Sequence, residues 1–196
     1  LTSIAVTLTG LLASPGALRA ADGRWNVNTA ESRSWTGATN WLSSIVADGV
    51  GFTATFTNNN GTEDAIITLD ADRTIGNLVF ADGNTGNQDR IIQSGTGSNV
   101  LIMAVSSGQP TLQMGMRGNS DNFEVDLEVN IVGTQGLMLI GDGDSGRTAS
   151  GVFSFDPPAK SYSGNTVLTN GALLQLGNSL PDGEGRISSQ VLRFLG

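Results

Sequence analysis

The stretch "YSGNTVLTNGALLQLGNSLPDGEG", residues 162–185, indicates the fold class of this chain. It contains two short apolar runs, "TVLT" and "ALLQL", and glycine or asparagine bounds each of them. Short strands separated by turns rich in Gly, Asn and Asp are typical of all-β proteins. Because glycine and asparagine tolerate the positive φ of tight corners, the stretch predicts two short strands joined by narrow turns.

The same pattern continues along the chain from residue 64. Apolar or alternating runs recur as "AIITLD", "TIGNLVF", "RIIQS", "NVLIMAV", "TLQMGM", "FEVDLEVNIV", "LMLI" and "GVFSF", with turn clusters between them. Their spacing fits either a β-solenoid or a β-sandwich. The chain has 27 glycines in 196 residues, about twice the average share of roughly 7%. Since narrow coils need such corners, we predict a parallel β-helix, with a β-sandwich as the alternative.

Residues 123–132 form the clearest predicted strand. One face carries Phe123, Val125, Leu127, Val129 and Ile131, and the other carries Glu124, Asp126, Glu128 and Asn130. Alternate residues on a strand lie about 7 Å apart, which is within the range for the paired carboxylates of glycosidases. Acid–base chemistry, however, needs two carboxyl groups in different environments. We expect the three acidic side chains to face water alike, and so we predict no catalytic role for them.

Composition excludes several classes of function. Charged residues make up 14% of the chain and hydrophobic residues 38%, with a net charge of −8, which indicates a folded protein. The ten basic residues are scattered and include a single lysine, Lys160, so no nucleic-acid-binding surface is predicted. The chain contains no Cys and no His, which excludes thiol nucleophiles, Cys/His zinc sites and the Ser-His-Asp triad. Catalysis would depend on Asp, Glu, Ser, Thr, Arg, Lys160 or Tyr162.

The first twenty residues, "LTSIAVTLTGLLASPGALRA", differ from the rest of the chain. They are apolar and rich in small residues, and Arg19 is their only charge. This composition predicts the apolar core and cleavage site of a secretory signal peptide, with a surface helix or first strand as the alternative. The stretch is too short and too interrupted for a membrane span. We therefore predict a signal remnant (1–20), an amino-terminal cap region (21–62) and β-helix coils (63–196) that stop within a strand at "VLRFLG".

Residues 160–185, "KSYSGNTVLTNGALLQLGNSLPDGEG", resemble the autotransporter-associated β-strand repeat. The positions that match the repeat are Tyr162, Ser163, Gly164, Thr166, Val167, Gly171, Leu173, Leu176 and Gly177. Lys160-Ser161 replaces the commoner Asn-Thr, and Ala172 stands where Thr is typical. The upstream "RWN", "SRSWTGATNWLSS" and "TIGNLVFAD" are similar to the amino-terminal part of such exported bacterial chains.

The resemblance implies a right-handed parallel β-helix within a secreted or outer-membrane-associated surface protein. It implies a structural or adhesin-like role, with surface glycans or other cell-surface proteins as partners. The family offers no catalytic residues to transfer, and we predict no catalytic, cofactor or metal site. The alternatives are a polysaccharide-active β-helix enzyme and a carbohydrate-binding β module.

Residues 137–150, "LMLIGDGDSGRTAS", contain a formal G-x-G-x-x-G formed by Gly141, Gly143 and Gly146. A phosphate-binding version requires a following helix, but the next residues predict another strand. Asp142 and Asp144 would repel a phosphate. They could contribute to a Ca²⁺ site, but they lack the further ligands of a known calcium loop. We predict an acidic corner turn.

Two other features invite a function. Trp25, Trp35 and Trp41 lie close together in the sequence. They could stack on sugars, but we expect them to cover the open end of the coil, since solenoid ends need protection. Asn60-Gly61-Thr62 is a glycosylation sequon, which we interpret as a plain turn.

Overall fold

The computed structural model describes residues 19–27, 29, 31–57, 64–81, 89–115, 123–143, 152–156, 160–176 and 192–195. The regular structure in these ranges is β-strand, apart from two short 3₁₀ helices over Ala38–Asn40 and Leu42–Ser44. The all-β prediction is therefore confirmed.

The strands form three sheets in which every pairing is parallel. The seven-stranded sheet has the order β1 (Gly23–Arg24), β3 (Thr53–Phe56), β6 (Asn77–Phe80), β9 (Thr111–Met114), β12 (Leu137–Ile140), β15 (Thr166–Thr169) and β17 (Leu192–Leu195). The six-stranded sheet has the order β2 (Arg33–Ser34), β4 (Ala65–Leu69), β7 (Arg90–Ser94), β10 (Glu124–Glu128), β13 (Val152–Phe155) and β16 (Leu173–Leu176). The four-stranded sheet has the order β5 (Arg73–Ile75), β8 (Val100–Met103), β11 (Asn130–Gly133) and β14 (Ser161–Tyr162).

From β4 onward the chain visits the six-stranded, four-stranded and seven-stranded sheets in turn. It repeats this order in β7–β9, in β10–β12 and in β13–β15. We call one such passage a coil. Because parallel neighbours cannot be joined by tight hairpins, the hairpin-built β-sandwich alternative is wrong for the described strands. The stacked order is compatible with a β-helix.

The core consists of aligned apolar columns on the inner faces of the sheets. In the seven-stranded sheet the paired residues Ala54, Leu78, Leu112, Leu139 and Leu168 form one such column, and all five are buried. Buried residues of all three sheets belong to one hydrophobic cluster. Each coil therefore removes the apolar surface of its neighbours from water, at about 25 cal/mol per Å².

The repeat-like stretch forms one strand in each sheet. β14, β15 and β16 follow one another, and "TVLT" and "ALLQL" are strands as predicted. Gly164 marks the first corner, with φ +92°, and its backbone lies so close to the coil below that an added Cβ would be 2.6 Å from the Gly136 nitrogen. The second corner contains Asn170 and Gly171, with φ 54° and 73°. Corner geometry therefore favours glycine at positions 164 and 171.

The prediction of one continuous strand over residues 123–132 is wrong. The segment is two strands, β10 and β11, which belong to different sheets. Val129 lies between them and remains fully buried, as does Ile131. The apolar alternation continues through the corner because both strands face the same core. "TIGNLVF" is divided in the same way, between β5 and β6 at Gly76.

Aspartates that directly precede a strand connect it to the neighbouring strand of the same sheet. Each accepts a hydrogen bond from a backbone N–H at the first residue of that strand or directly before it. The bonds are Thr53 N–H to Asp22 at 2.7 Å, Asp89 N–H to Asp64 at 2.9 Å, Val100 N–H to Asp72 at 2.9 Å and Glu124 N–H to Asp89 at 2.8 Å. These side chains extend the backbone ladder beyond the strand ends.

The residues predicted to form a cap contact the first coil through both backbone and charge. Within the cap region Ala21 and Asp48 form an antiparallel bridge, and Gly49 donates its N–H to the Thr74 carbonyl of the first coil at 2.7 Å. Arg73, only 4% exposed, donates from Nη1 to Asp48 Oδ2 at 3.4 Å. The Asp48 carboxylate is therefore the counter-charge for a buried guanidinium.

We expect Asp48→Asn to lower the free energy of unfolding by about 1–3 kcal/mol, because it leaves the Arg73 charge buried without an anion. The matched control is Glu31→Gln, which removes the exposed ion pair between Glu31 and Arg33 and should change stability by less than about 0.5 kcal/mol. Urea denaturation followed by circular dichroism gives both values. Equal effects of the two substitutions would contradict this role for Asp48.

Candidate functional site

Carboxylates of successive coils lie on the outer face of the six-stranded sheet. Asp64, Asp89 and Glu124 are linked in series, since each of the first two accepts a backbone N–H from the next. Asp126 and Glu128 continue this acidic face along β10. Asp126 is paired in register with Ile91 on one side and Ser154 on the other. Asp156 directly follows β13.

Asp126 has the most altered protonation on this face. Its pKa is raised to about 8, first by burial and then by the neighbouring carboxylates of Glu124, Asp156, Asp89 and Glu128, in that order. Both causes disfavour the charged form. Asp126 therefore carries a proton at neutral pH.

Asp89, in the preceding coil, also has a raised pKa, but some of its contacts favour the ionised form. Burial raises its pKa to about 6, and the charges of Asp64 and Glu124 act in the same direction. The hydrogen bond from the Glu124 N–H and the charge of Arg90 oppose the rise. Asp89, which accepts the Glu124 N–H of the next coil, is thus more readily ionised than Asp126.

The expectation that Glu124, Asp126 and Glu128 face water alike is wrong. All three residues are half-buried, and the surroundings of Asp126 favour its neutral form. The carboxyl groups of this row are therefore not all in the same environment. The row does contain a carboxyl group of the kind that can act as a general acid.

A buried polar cluster lies beside Asp126, where β13 ends. Phe153 and Phe155 face the core, so Ser154 and Asp156 lie on the opposite side of the strand, yet they are only 0% and 4% exposed. Ser154 Oγ donates to Asp156 Oδ2 at 3.2 Å. Asp156 Oδ1 is buried without a hydrogen-bond partner. An unsatisfied buried carboxylate oxygen is costly and requires an explanation.

Lys160 completes this cluster from the side of the core. It is 1% exposed, and its Nζ donates to the Leu127 carbonyl at 2.6 Å and to the Asp156 carbonyl. The ammonium lies 5.7 Å from the centre of the Phe155 ring. Burial lowers the pKa of Lys160 to about 8, although Asp156 and Glu128 favour its charged form. Its hydrogen bonds join the coils of β10 and β13, and its burial keeps it away from a dissolved substrate.

Tyr162, the other candidate catalytic residue, is also enclosed. It is 1% exposed, and its hydroxyl shares a 2.6 Å hydrogen bond with Thr166 Oγ1. Burial raises the pKa of the phenol, although the bond with Thr166 opposes the change. The phenol therefore stays neutral, and it connects β14 to β15 within one coil.

The first two glycines of the G-x-G-x-x-G motif have a structural explanation. An added Cβ on Gly141 would lie 2.3 Å from the Asn170 carbonyl oxygen, and Gly143 has φ +74°. Asn170 Nδ2 also donates to the Gly141 carbonyl at 2.8 Å. Gly146 and Asp144 lie outside the described residues. Among those that are described, no three Asp, Glu, His or Cys side chains are placed to hold a metal ion.

The three tryptophans form one packed cluster. They are buried to 2% exposure or less, and the Trp25 and Trp35 rings contact the Trp41 ring with centroid distances of 5.1 and 5.2 Å. Trp35 donates its ring N–H to the Ala47 carbonyl, and Trp41 donates to the Trp35 carbonyl. No ring face is left open for a sugar. The capping role of region 21–62 stays a prediction.

The amino-terminal region also contains a cavity of about 610 Å³. Its walls include Ile45, Val46 and Phe52, with Arg19 and Asp22 as the charged residues. The cavity lies away from the acidic face of β10. Asn60-Gly61-Thr62 and residues 1–18 of the predicted leader lie outside the described residues.

Comparisons with known proteins found no match. No family model, no curated protein and no solved structure is significantly similar to this chain. The resemblance to the autotransporter-associated repeat therefore stays a prediction. In the ranges that the structure describes, no helix is long and apolar enough to cross a membrane.

Ser154 and Asp156 were not among the residues singled out from the sequence. The alternation in "VFSFD" does place them on the face opposite the two phenylalanines. Their position beside Asp126, however, depends on the pairing of Val125 with Phe153. A single sequence does not specify which residues of two distant strands are paired.

We expect Gly141→Ala to lower the free energy of unfolding by about 1–3 kcal/mol, because the methyl group would meet the backbone of the next coil. Gly97→Ala is the matched control: the nearest atoms to its added Cβ are those of Asn99, at 3.5 Å or more. It should be neutral or slightly stabilising. Thermal denaturation compares the two, and a larger loss for Gly97→Ala would contradict the packing explanation.

Proposed function

We propose that this chain is a length of right-handed parallel β-helix that serves as a non-catalytic scaffold in a secreted or cell-surface protein. The role is structural or adhesin-like, of the kind that the autotransporter-associated repeat implies. Surface glycans or other cell-surface proteins are its proposed partners. The amino-terminal stretch is proposed to direct export.

The observation that carries this proposal is that polar side chains form hydrogen bonds to the backbone of neighbouring coils. Three aspartates accept backbone N–H groups of neighbouring coils, and Asp22 accepts one from β3 in the amino-terminal region. Asn99 and Asn170 donate to backbone carbonyls of neighbouring coils at 2.8 Å. Side chains that form these hydrogen bonds reinforce the stacking of coils. Fewer polar side chains are then left to bind or cleave a substrate. A stack that is bonded along its length resists bending and unfolding, as a scaffold must.

A second candidate function is a polysaccharide-active β-helix enzyme. It is favoured by the acidic face of β10, where burial and neighbouring carboxylates raise the pKa of Asp126 to about 8. A protonated carboxyl group beside an ionised one is the pairing that glycoside cleavage uses. The scaffold remains the better-supported proposal, because Lys160 and Tyr162 are buried in structural hydrogen bonds.

Incubation with acidic and neutral polysaccharides tests these candidates directly. We expect no release of reducing ends or unsaturated products above that of a heat-unfolded control. The double variant Asp126→Asn/Glu128→Gln, checked for folding by circular dichroism, should behave as the parent does. Cleavage by the parent that is lost in the folded double variant would establish the enzyme and overturn the scaffold.

Localisation is tested separately with an epitope-tagged chain expressed from its natural gene in its own host. We expect the tag to be removed by protease added to intact cells, or to be recovered from the medium. Tag protected inside intact cells would contradict the proposed surface role.

A further inference from the structure

The backbone of the chain becomes bonded to the rest of the fold at Ala21. Ala21 donates its N–H to the Asp48 carbonyl at 2.8 Å and accepts the Asp48 N–H at 3.1 Å, so both hydrogen bonds of an antiparallel bridge are formed. The next residue, Asp22, accepts the Thr53 N–H at 2.7 Å, and Gly23 begins β1. Successive residues from Ala21 onward are therefore held by the backbone of other segments.

Arg19 and Ala20, the two described residues before Ala21, are held much less firmly. Both are exposed, and neither forms a hydrogen bond with another described residue. The Ala20 methyl group lies close to Gly49, and both residues contribute to the wall of the amino-terminal cavity. These are van der Waals contacts, which are individually weak. Residues 19 and 20 can therefore be removed without the loss of a hydrogen bond between described residues.

The residues around this point also fit the cleavage site of an export leader. Such sites have small residues before the bond that is cut. A cut after Ala20 has Ala20 directly before the bond and the apolar Leu18 two residues earlier. A cut after Ala21 would instead have the charged Arg19 two residues earlier, and it would remove the bridge between Ala21 and Asp48. Sequence and structure therefore both favour the bond between Ala20 and Ala21.

We propose that the bond between Ala20 and Ala21 is hydrolysed during export, so that the exported protein begins at Ala21. Water adds across the peptide bond: Ala20 leaves with a new carboxylate, and Ala21 keeps a new α-ammonium group. The Ala21 nitrogen lies 2.8 Å from the Asp48 carbonyl oxygen, and a hydrogen bond from a charged donor is stronger than the neutral one that it replaces. The inference rests on the proposed function, because it requires that the chain is exported.

The first residue of the exported protein tests the cleavage directly. The full chain is given a carboxy-terminal epitope tag, expressed in its own host, recovered from outside the cells, and analysed by intact mass and amino-terminal sequencing. We expect the sequence "ADGRW", which begins at Ala21. Another first residue on the exported chain would overturn this inference and leave the proposed surface role intact. An uncleaved chain that stays inside the cells would contradict both.

Two substitutions that place the same charge on either side of the bond give a matched comparison. Ala20→Glu should abolish the form that begins at residue 21, because the residue before the cut must be small. Ala21→Glu should be cleaved as the parent is, since that requirement concerns the residues before the cut. Normal cleavage of Ala20→Glu, or equal loss of cleavage in the two variants, would overturn the proposal.

Thermal unfolding of the uncleaved full chain, made in the cytoplasm of an expression host, tests independently of export where the fold begins. Ala21→Pro removes the N–H that the Asp48 carbonyl accepts, so the melting temperature should fall by about 4 °C. Ala20→Pro is the matched control and should lower the melting temperature by less than about 1 °C, because Ala20 donates no such bond to a described residue. Equal losses in the two variants would show that the fold does not begin at Ala21.

Discussion

The structure depends on the backbone hydrogen bonds between parallel strands of successive coils. A parallel strand cannot satisfy its N–H and C=O groups within its own coil, so each corner must bring consecutive coils into register. At some corners the two backbones come so close that only glycine fits. Gly136 shows the limit, since an added Cβ would lie 2.2 Å from the Asn165 carbonyl oxygen. At Gly136 glycine is therefore a consequence of stacking.

Stacking in register also determines where negative charge accumulates. Neighbouring strands lie about 4.8 Å apart, so acidic residues in one column are close neighbours in space, however distant they are in sequence. Asp64, Asp89 and Glu124 show how this repulsion is reduced, because each of the first two accepts a backbone N–H of the next. Asp126 accepts no such bond from the described residues, and burial together with its neighbours favours its neutral form.

Local pattern was sufficient to predict most strands and the all-β class, because alternation with period two reports one buried face. It could not predict corners such as Val129, which continues the apolar alternation while the chain passes from one sheet to another. Pairing between coils is the information that a single sequence lacks. The coils differ in length, so nothing local indicates that Asp126 meets Ser154. The raised pKa of Asp126 within its row of carboxyl groups and the burial of Asp156 therefore could not be predicted from the sequence.

The six-stranded sheet has buried cations on its core side and carboxylates on its outer side. Arg90 and Lys160 are buried on the core side, where they donate to the carbonyls of Asp89 and of Leu127 and Asp156. The carboxylates lie on the outer side. Attraction across the sheet is mutual: Arg90 favours ionised Asp89, and Asp156 and Glu128 favour charged Lys160. Because a buried cation without an anion costs several kcal/mol, the outer carboxylates and the inner cations depend on each other. The acidic face is thus part of what holds the coils together.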